Sequence, residues 1–258
     1  MHNLKPKKYL GQHFLRNEDI ALRIVDALTA APDDQVVEIG PGEGVLTKYL
    51  FDKYPNLSLV EVDPDAVTFI TQRFDPPPVI FHEDILTWAI GEHLSLNAFL
   101  IGNLPYNISS PIFFRILENR QHIQEGVFMI QKEVAERICA GPGSKTYGIL
   151  SVLIGHYYEV EMVLKVRPGA FRPPPKVDSA VIRMKRKDQQ EAVPFSDLKH
   201  VVKSAFGQRR KTLRNALKGI PLADFPEKAE LLSKRAEQLD IQTFVKLTGY
   251  RKKSAESD

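Results

Sequence analysis

From residue 35 to residue 140, short apolar, β-branched runs alternate with segments of helical periodicity. "QVVEIG" (35–40), "LSLVEVD" (57–63), "VIFHED" (79–84), "AFLIG" (98–102) and "EGVFMIQ" (125–131) read as strands. "GVLTKYLFDKY" (44–54), "DAVTFITQRF" (65–74), "PIFFRILENR" (111–120) and "KEVAERICA" (132–140) read as helices. Such alternation predicts βαβ units and a mainly parallel, doubly wound α/β sheet, with ligands beyond the carboxyl ends of its strands. A helix over 17–30 precedes it, with Asn17 as N-cap and Ile20, Ile24, Val25 and Leu28 as its apolar stripe. Two late strands, 158–166 and 178–186, flank the turn-rich "RPGAFRPPPK". After "KRKDQQEAVP" only helical periodicity remains. This predicts a linker near 187–194, a Rossmann-like domain over 1–187 and a small helical domain over 188–258.

The apolar fraction, 43%, supports a packed core. No apolar run is long enough for a transmembrane helix, and the basic N-terminus lacks the apolar segment of a secretory leader. The single cysteine, Cys139, excludes an internal disulfide and suits a reducing compartment, so the expectation is a cytoplasmic protein away from membranes. Net charge is +3 but uneven. Residues 1–16 hold four Lys/Arg and no acid, 163–187 hold eight against one, and the acidic body at 17–162 nets −12. Basic segments flanking an acidic body point to a polyanionic partner.

The first strand runs into "EIGPGEG" (38–44), where Gly40, Gly42 and Gly44 alternate after Glu38. The spacing is not G-x-G-x-x-G, because Val45 stands where its third glycine would be, and no lysine–hydroxyl pair makes it a phosphate loop. Alternating glycines let the backbone turn sharply and approach a ligand. The pattern resembles the S-adenosylmethionine loop of class I methyltransferases. Glu61, twenty-one residues past Gly40, is placed to accept hydrogen bonds from ribose hydroxyls, with Asp63 as its rival. Asp84 ends the third strand, positioned to accept from an adenine amino group.

The fourth strand ends in Asn103-Leu104-Pro105-Tyr106. An exocyclic amine of a base is a poor nucleophile, because its lone pair is delocalised into the ring. Acceptors aimed at both N–H bonds favour a pyramidal nitrogen. The Asn103 side-chain oxygen and the Leu104 carbonyl are candidates. Pro105 fixes φ and removes a competing donor, and Tyr106 offers a ring to stack on the base. A base extruded from a duplex is gripped on two sides, so a second aromatic is expected. Phe171, on the proline-rich loop before the last strand, is the candidate, with a core role as its alternative.

Together these residues resemble the ribosomal RNA adenine dimethyltransferases of the KsgA/RsmA family. "GQHFL" (11–15), "VVEIGPGEGVLT", "VEVD", "GNLPYNISSP", "QKEVAERICAGPGSKTYGILSV" and "FRPPPKVDSAVI" occur in family order, and the likeness spans roughly residues 5–250. It implies a class I, Rossmann-like S-adenosylmethionine-dependent methyltransferase domain with a small C-terminal helical domain, and no metal. It places His13, Leu15, Gly40, Glu61, Asp84 and Asn103 at cofactor-contact positions, with Gly42 in the same turn. The family usually carries asparagine where His13 stands. The implied activity is N6,N6-dimethylation of two adjacent adenines in a hairpin near the 3′ end of small-subunit ribosomal RNA. The implied partner is the immature small subunit, met by a monomer. A macrolide-resistance-type methyltransferase of large-subunit RNA and a non-catalytic RNA-binding assembly factor are the alternatives. The full "FRPPPKVDSAV" stretch argues against the first, and the intact glycines, Glu61, Asp84 and N-L-P-Y against the second.

In the tail, "FGQRRKTLRNALKG" is predicted to continue as one helix. Arg210, Arg214 and Lys218 would then form a basic stripe for RNA phosphates, with an ordinary solvated face as its alternative, beside a second stripe of Leu213 and Leu217 that can pack inward.

Overall fold

The computed structural model describes residues 4–188 and 191–252. Its strands are β1 (Phe14–Leu15), β2 (Val36–Ile39), β3 (Leu57–Val60), β4 (Val79–Phe81), β5 (Ala98–Asn103), β6 (Ile123–Gln131), β7 (Tyr158–Val166), β8 (Phe171–Arg172) and β9 (Ser179–Arg186). Seven of them form one sheet in the order β4-β3-β2-β5-β6-β9-β7. The pairs β4/β3, β3/β2, β2/β5 and β5/β6 are parallel, and β9 runs antiparallel to β6. The strand order reverses between β2 and β5, which is where ligands bind in such sheets.

All four residues of β2 are buried, as are Ala98 to Gly102 of β5, the pattern of a strand covered on both faces. Successive side chains of β6 part to opposite sides. Val127 and Met129 join a cluster with Ile24 and Leu50, while Phe128 meets Phe113 edge-on at 5.6 Å. Each such fully buried side chain contributes roughly 1.5–3 kcal/mol. Helix Glu18–Asp26 starts as expected, with the Asn17 side chain accepting from Ile20 N. Helix Pro64–Arg73 is capped by Asp63 with proline at its first position.

The chain divides into two compact units, Met1–Ala135 with Glu159–Arg186, and Glu136–Tyr158 with Lys187–Asp258. The boundary read from sequence, at 187/188, therefore misses residues 136–158. Within that segment, helix Ile149–Tyr157 is buried at nearly every position. A helix apolar all round carries no periodic stripe by which sequence could reveal it. The second unit is otherwise built from helices Phe195–Gly207, Leu213–Ala216, Lys228–Ser233 and Ile241–Gly249, with Phe206 stacked on Phe244 at 5.7 Å. No helix among the described residues is long and apolar enough to cross a membrane.

The expected long basic helix is not there. The helix from Phe195 ends at Gly207, residues 208–212 turn, and the next helix spans only Leu213–Ala216. Glycine is a poor helix continuer. Leu213 N then donates to Lys234 O at 2.8 Å, and Thr212 bridges to Arg235, which turns the chain away from the helix axis. Leu213 and Leu217 do pack inward. Arg210, Arg214 and Lys218 are exposed but do not form a helical stripe.

Candidate active site

A cleft of about 210 Å³ opens beyond the ends of β2 and β5, lined by Gly40, Gly42, Glu61, Asp84, Asn103 and Tyr106, among others. The glycine turn forms its floor. Gly40 has φ +67°, and a Cβ there would meet nothing within 4 Å, so the space above it is open to a ligand. Gly42, at φ +54°, is closed instead: a Cβ would lie 2.8 Å from the Phe14 ring. One glycine lets a ligand approach, and the other lets β1 pack on the turn.

Glu61 is buried, and its two carboxylate oxygens accept from Gly42 N at 3.3 Å and Asp63 N at 2.8 Å. Burial raises its pKa, against the pull of those backbone N–H groups. Asp63 is occupied elsewhere. It accepts from Lys7 Nζ at 2.6 Å, Gln12 Nε2 at 2.8 Å and Asp65 N at 3.0 Å. Burial would raise its pKa, but the bonds from Lys7 and Gln12 outweigh that and hold it below the usual carboxylate value. Glu61 rather than Asp63 therefore faces the cleft. Asp84 is exposed at the rim, with Oδ1 accepting from Leu86 N at 2.9 Å.

The Asn103 amide is fixed by its donor half. Nδ2 donates to the His13 carbonyl at 2.9 Å, which only the NH₂ group can do, so Oδ1 is the atom left to accept. Leu104 is buried, and its N–H donates to Met129 O at 3.0 Å. Tyr106 Oη lies 2.5 Å from Ser179 Oγ, and burial raises the phenol's pKa against that hydrogen bond. The structure thus brings Asn103, Leu104, Pro105 and Tyr106 to one wall of the cleft.

Phe171 is not on that wall. β8 pairs antiparallel with β1 so that Phe171 stands opposite Leu15, and directly opposed residues share a face. Both side chains enter the core with Ile24, Val25 and Val166. The ring that meets Tyr106 is His13, at a centroid distance of 5.3 Å and an interplanar angle of 29°. His13 Nδ1 lies 2.8 Å from Pro173 O, which orients the imidazole. The Leu15 side chain is buried and sits behind the glycine turn rather than in the main cleft.

Sequence reading missed the cleft's N-terminal wall. Tyr9, Leu10 and Gln12 line it. Lys7 anchors this segment to Asp63 at 2.6 Å and Asp65 at 2.7 Å. The available signal was a lysine-rich, acid-free segment ahead of an aspartate pair at a helix start.

A family model described as "Ribosomal RNA adenine dimethylase" matches residues 3–251. The chain belongs to that family. Among ribosomal RNA adenine dimethylases, the ribosomal RNA small subunit methyltransferase A of Flavobacterium johnsoniae is 48% identical over 252 residues, covering 96% of each chain. That of Parabacteroides distasonis is 48% identical over 251 residues, covering 96% of this chain and 94% of its own. A solved dimethyladenosine transferase from Plasmodium falciparum superposes with a TM-score of 0.80 at 26% identity, covering 93% of this chain and 99% of its own. The solved 23S rRNA methyltransferase ErmE superposes with a TM-score of 0.66 at 25% identity, covering 92% and 99%. The adenine dimethylase fold is therefore class I, Rossmann-like, with a helical C-terminal part.

One buried acid of this dimethylase lies beneath the cleft. Glu38 accepts from Thr47 Oγ1 at 2.6 Å, and burial, with Glu61 nearby, pushes its pKa up to about 8. A raised carboxyl pKa adds stability that is complete below the unfolded value and is lost as pH climbs through the folded one. The Glu38→Gln variant, neutral at every pH and still able to accept from Thr47, should gain on the wild type between pH 5 and pH 8.5. Thermal melting of the two proteins across that range checks this. A constant difference in melting temperature would refute a buried, titrating Glu38.

Proposed function

We propose that this chain transfers methyl groups from S-adenosylmethionine to N6 of two adjacent adenines in a hairpin near the 3′ end of small-subunit ribosomal RNA. Each adenine becomes N6,N6-dimethyladenine. The observation that carries the reading is Asn103, its Nδ2 engaged by the His13 carbonyl and its Oδ1 left free at the switch of the sheet, beside the open space over Gly40.

The residues present fit the cofactor. Gly40 leaves room for close approach, buried Glu61 suits ribose hydroxyls, and Asp84 suits the adenine amino group. When bound, S-adenosylmethionine supplies an electrophilic methyl on a sulfonium. In the first transfer Asn103 Oδ1 and the Leu104 carbonyl accept from the two N6–H bonds and turn the nitrogen lone pair out of the ring; in the second, the one remaining N6–H is held by one of the two acceptors. Tyr106, anchored through Ser179, holds the base plane. N6 gains the methyl as the sulfonium S–CH3 bond breaks to leave a neutral thioether, and N6 then releases a proton, which is acidic once the nitrogen is alkylated, so no strong base is required. Binding to the immature small subunit by a monomer in the cytoplasm belongs to the same reading. Its support is the 48% identity to small-subunit methyltransferases, against 25% to the large-subunit enzyme ErmE.

Mass mapping of ribosomal RNA from unmethylated small subunits, after incubation with this protein and S-adenosylmethionine, tests the proposal. Two adjacent dimethyladenines in the 3′ hairpin are expected. Modification of large-subunit RNA alone would transfer the reading to the ErmE type, and no modification would leave a binding protein.

A further inference from the structure

We propose that a second, basic groove holds the phosphate backbone of the RNA strand that flanks the target adenine. The inference rests on the functional reading above and gives it a docking surface. The groove, of about 570 Å³, is lined by Arg16, Asn17, Ile20, Lys165, Arg167 and Gly169, with Val166 and Ala170 completing it. No acid lines it. Val166 is 1% exposed and forms the floor, while Lys165 and Arg167, two residues apart, are exposed on the rim. Among the described residues, neither Lys165 nor Arg167 makes an ion pair. The nearest acid in sequence to Asn17, Glu18, is engaged by Lys48 at 2.5 Å and by Tyr49 at 2.6 Å.

The groove is joined to the cleft by the β1/β8 ribbon. At one end of the ribbon His13, stacked on Tyr106, contacts Pro173 O. At the other, Arg16 N donates to Ala170 O at 2.8 Å. Arg16 is three residue steps of extended chain from His13, a span of about 10 Å. Arg172 and Lys176 are exposed on the same stretch of chain. A strand whose base enters the cleft would find a run of cations beside it, leading to the groove. An open, cationic groove with an apolar floor suits a polyanion, and phosphate contacts position a nucleic acid without reading its sequence. Of the eight cations at 163–187, Lys165 and Arg167 line the groove, whereas Arg183 pairs with Glu161 and Arg186 and Lys187 are bound to backbone carbonyls.

Two variants test this. Lys165→Ala with Arg167→Ala removes the rim charges. Gly169→Glu adds a carboxylate to the groove, and a Cβ at Gly169 meets nothing within 4 Å, so that chain should fold. The probes are a naked RNA hairpin with two adjacent adenines and unmethylated small subunits, titrated from 50 to 200 mM salt. The double variant should bind the hairpin about fivefold more weakly, the effect of two exposed charge contacts. Its log–log salt slope should be shallower by about 1.4, the value for two single-strand phosphate contacts. Gly169→Glu should weaken binding in the same direction. In both variants KM should rise while kcat at saturating RNA and the affinity for S-adenosylhomocysteine stay put. Wild-type affinity and slope in both variants would overturn the proposal. A loss seen only with assembled subunits would also overturn it, because the contact would then be to a ribosomal protein. A binding loss with no methylation even by the wild type would instead strike the functional reading and leave the groove standing.

Discussion

Replacing Asn103 by alanine should slow methyl transfer by about 10²–10³, the usual consequence of removing one oriented polar contact from a transition state. On the proposed function its Oδ1 would accept from the reacting amine, because Nδ2 is committed to the His13 carbonyl at 2.9 Å. The same geometry predicts that Asn103→Asp fails as well. It retains an acceptor, but its second oxygen would face the His13 carbonyl with no hydrogen to share, so the side chain would turn away. A residue serving only to brace the His13 backbone would be tolerated as alanine once the fold had formed. Single-turnover methylation at saturating cofactor and RNA separates these cases, and S-adenosylhomocysteine titration confirms that the variants still fold and bind. Near-wild-type turnover by either variant would sink the assigned role. A modest rise in the cofactor dissociation constant would not, since Asn103 also lines the cofactor side of the cleft.

The parts of this molecule legible in its sequence are those whose function demands a fixed local pattern. Gly40 and Gly42 needed positive φ and Asn103 the last position of β5, and they have them, whereas Glu61 and Asp84, read as strand residues, lie one and three residues past the ends of β3 and β4 and still reach the cleft. Asp63 competed with Glu61 on spacing alone. It lost for a reason invisible to spacing, the contacts from Lys7 and Gln12, which are 56 and 51 residues away in the chain. Phe171 failed as a base platform because its fate is decided by a two-residue ribbon, too short to announce itself, that sets it opposite Leu15. The basic stripe failed for the opposite reason. Its 3.6-residue spacing was real in sequence, but Gly207 and the pairing of Leu213 N with Lys234 O ended the helix first. Propensity is a weak prior that tertiary contacts override.

Glu61→Ala should weaken cofactor binding by about 1.5–3 kcal/mol, or roughly 10- to 150-fold, the worth of a hydrogen bond to a charged acceptor. Each carboxylate oxygen takes one backbone N–H, from Gly42 and Asp63, and retains lone-pair capacity for ribose hydroxyls across the cleft. Those backbone bonds also hold the glycine turn, so Glu61→Gln is the informative companion. It keeps the volume, but its NH₂ would confront one of the two N–H donors. It should therefore lose nearly as much affinity as alanine rather than an intermediate amount. Isothermal titration with S-adenosylhomocysteine measures both variants, and binding to the RNA hairpin, made through other surfaces, should be unmoved. Asp63 cannot take over, because Lys7, Gln12 and Asp65 N already claim its oxygens. Unchanged cofactor affinity in Glu61→Ala would therefore remove the ribose role from this strand end altogether and leave Asp84 as the carboxylate holding the nucleoside.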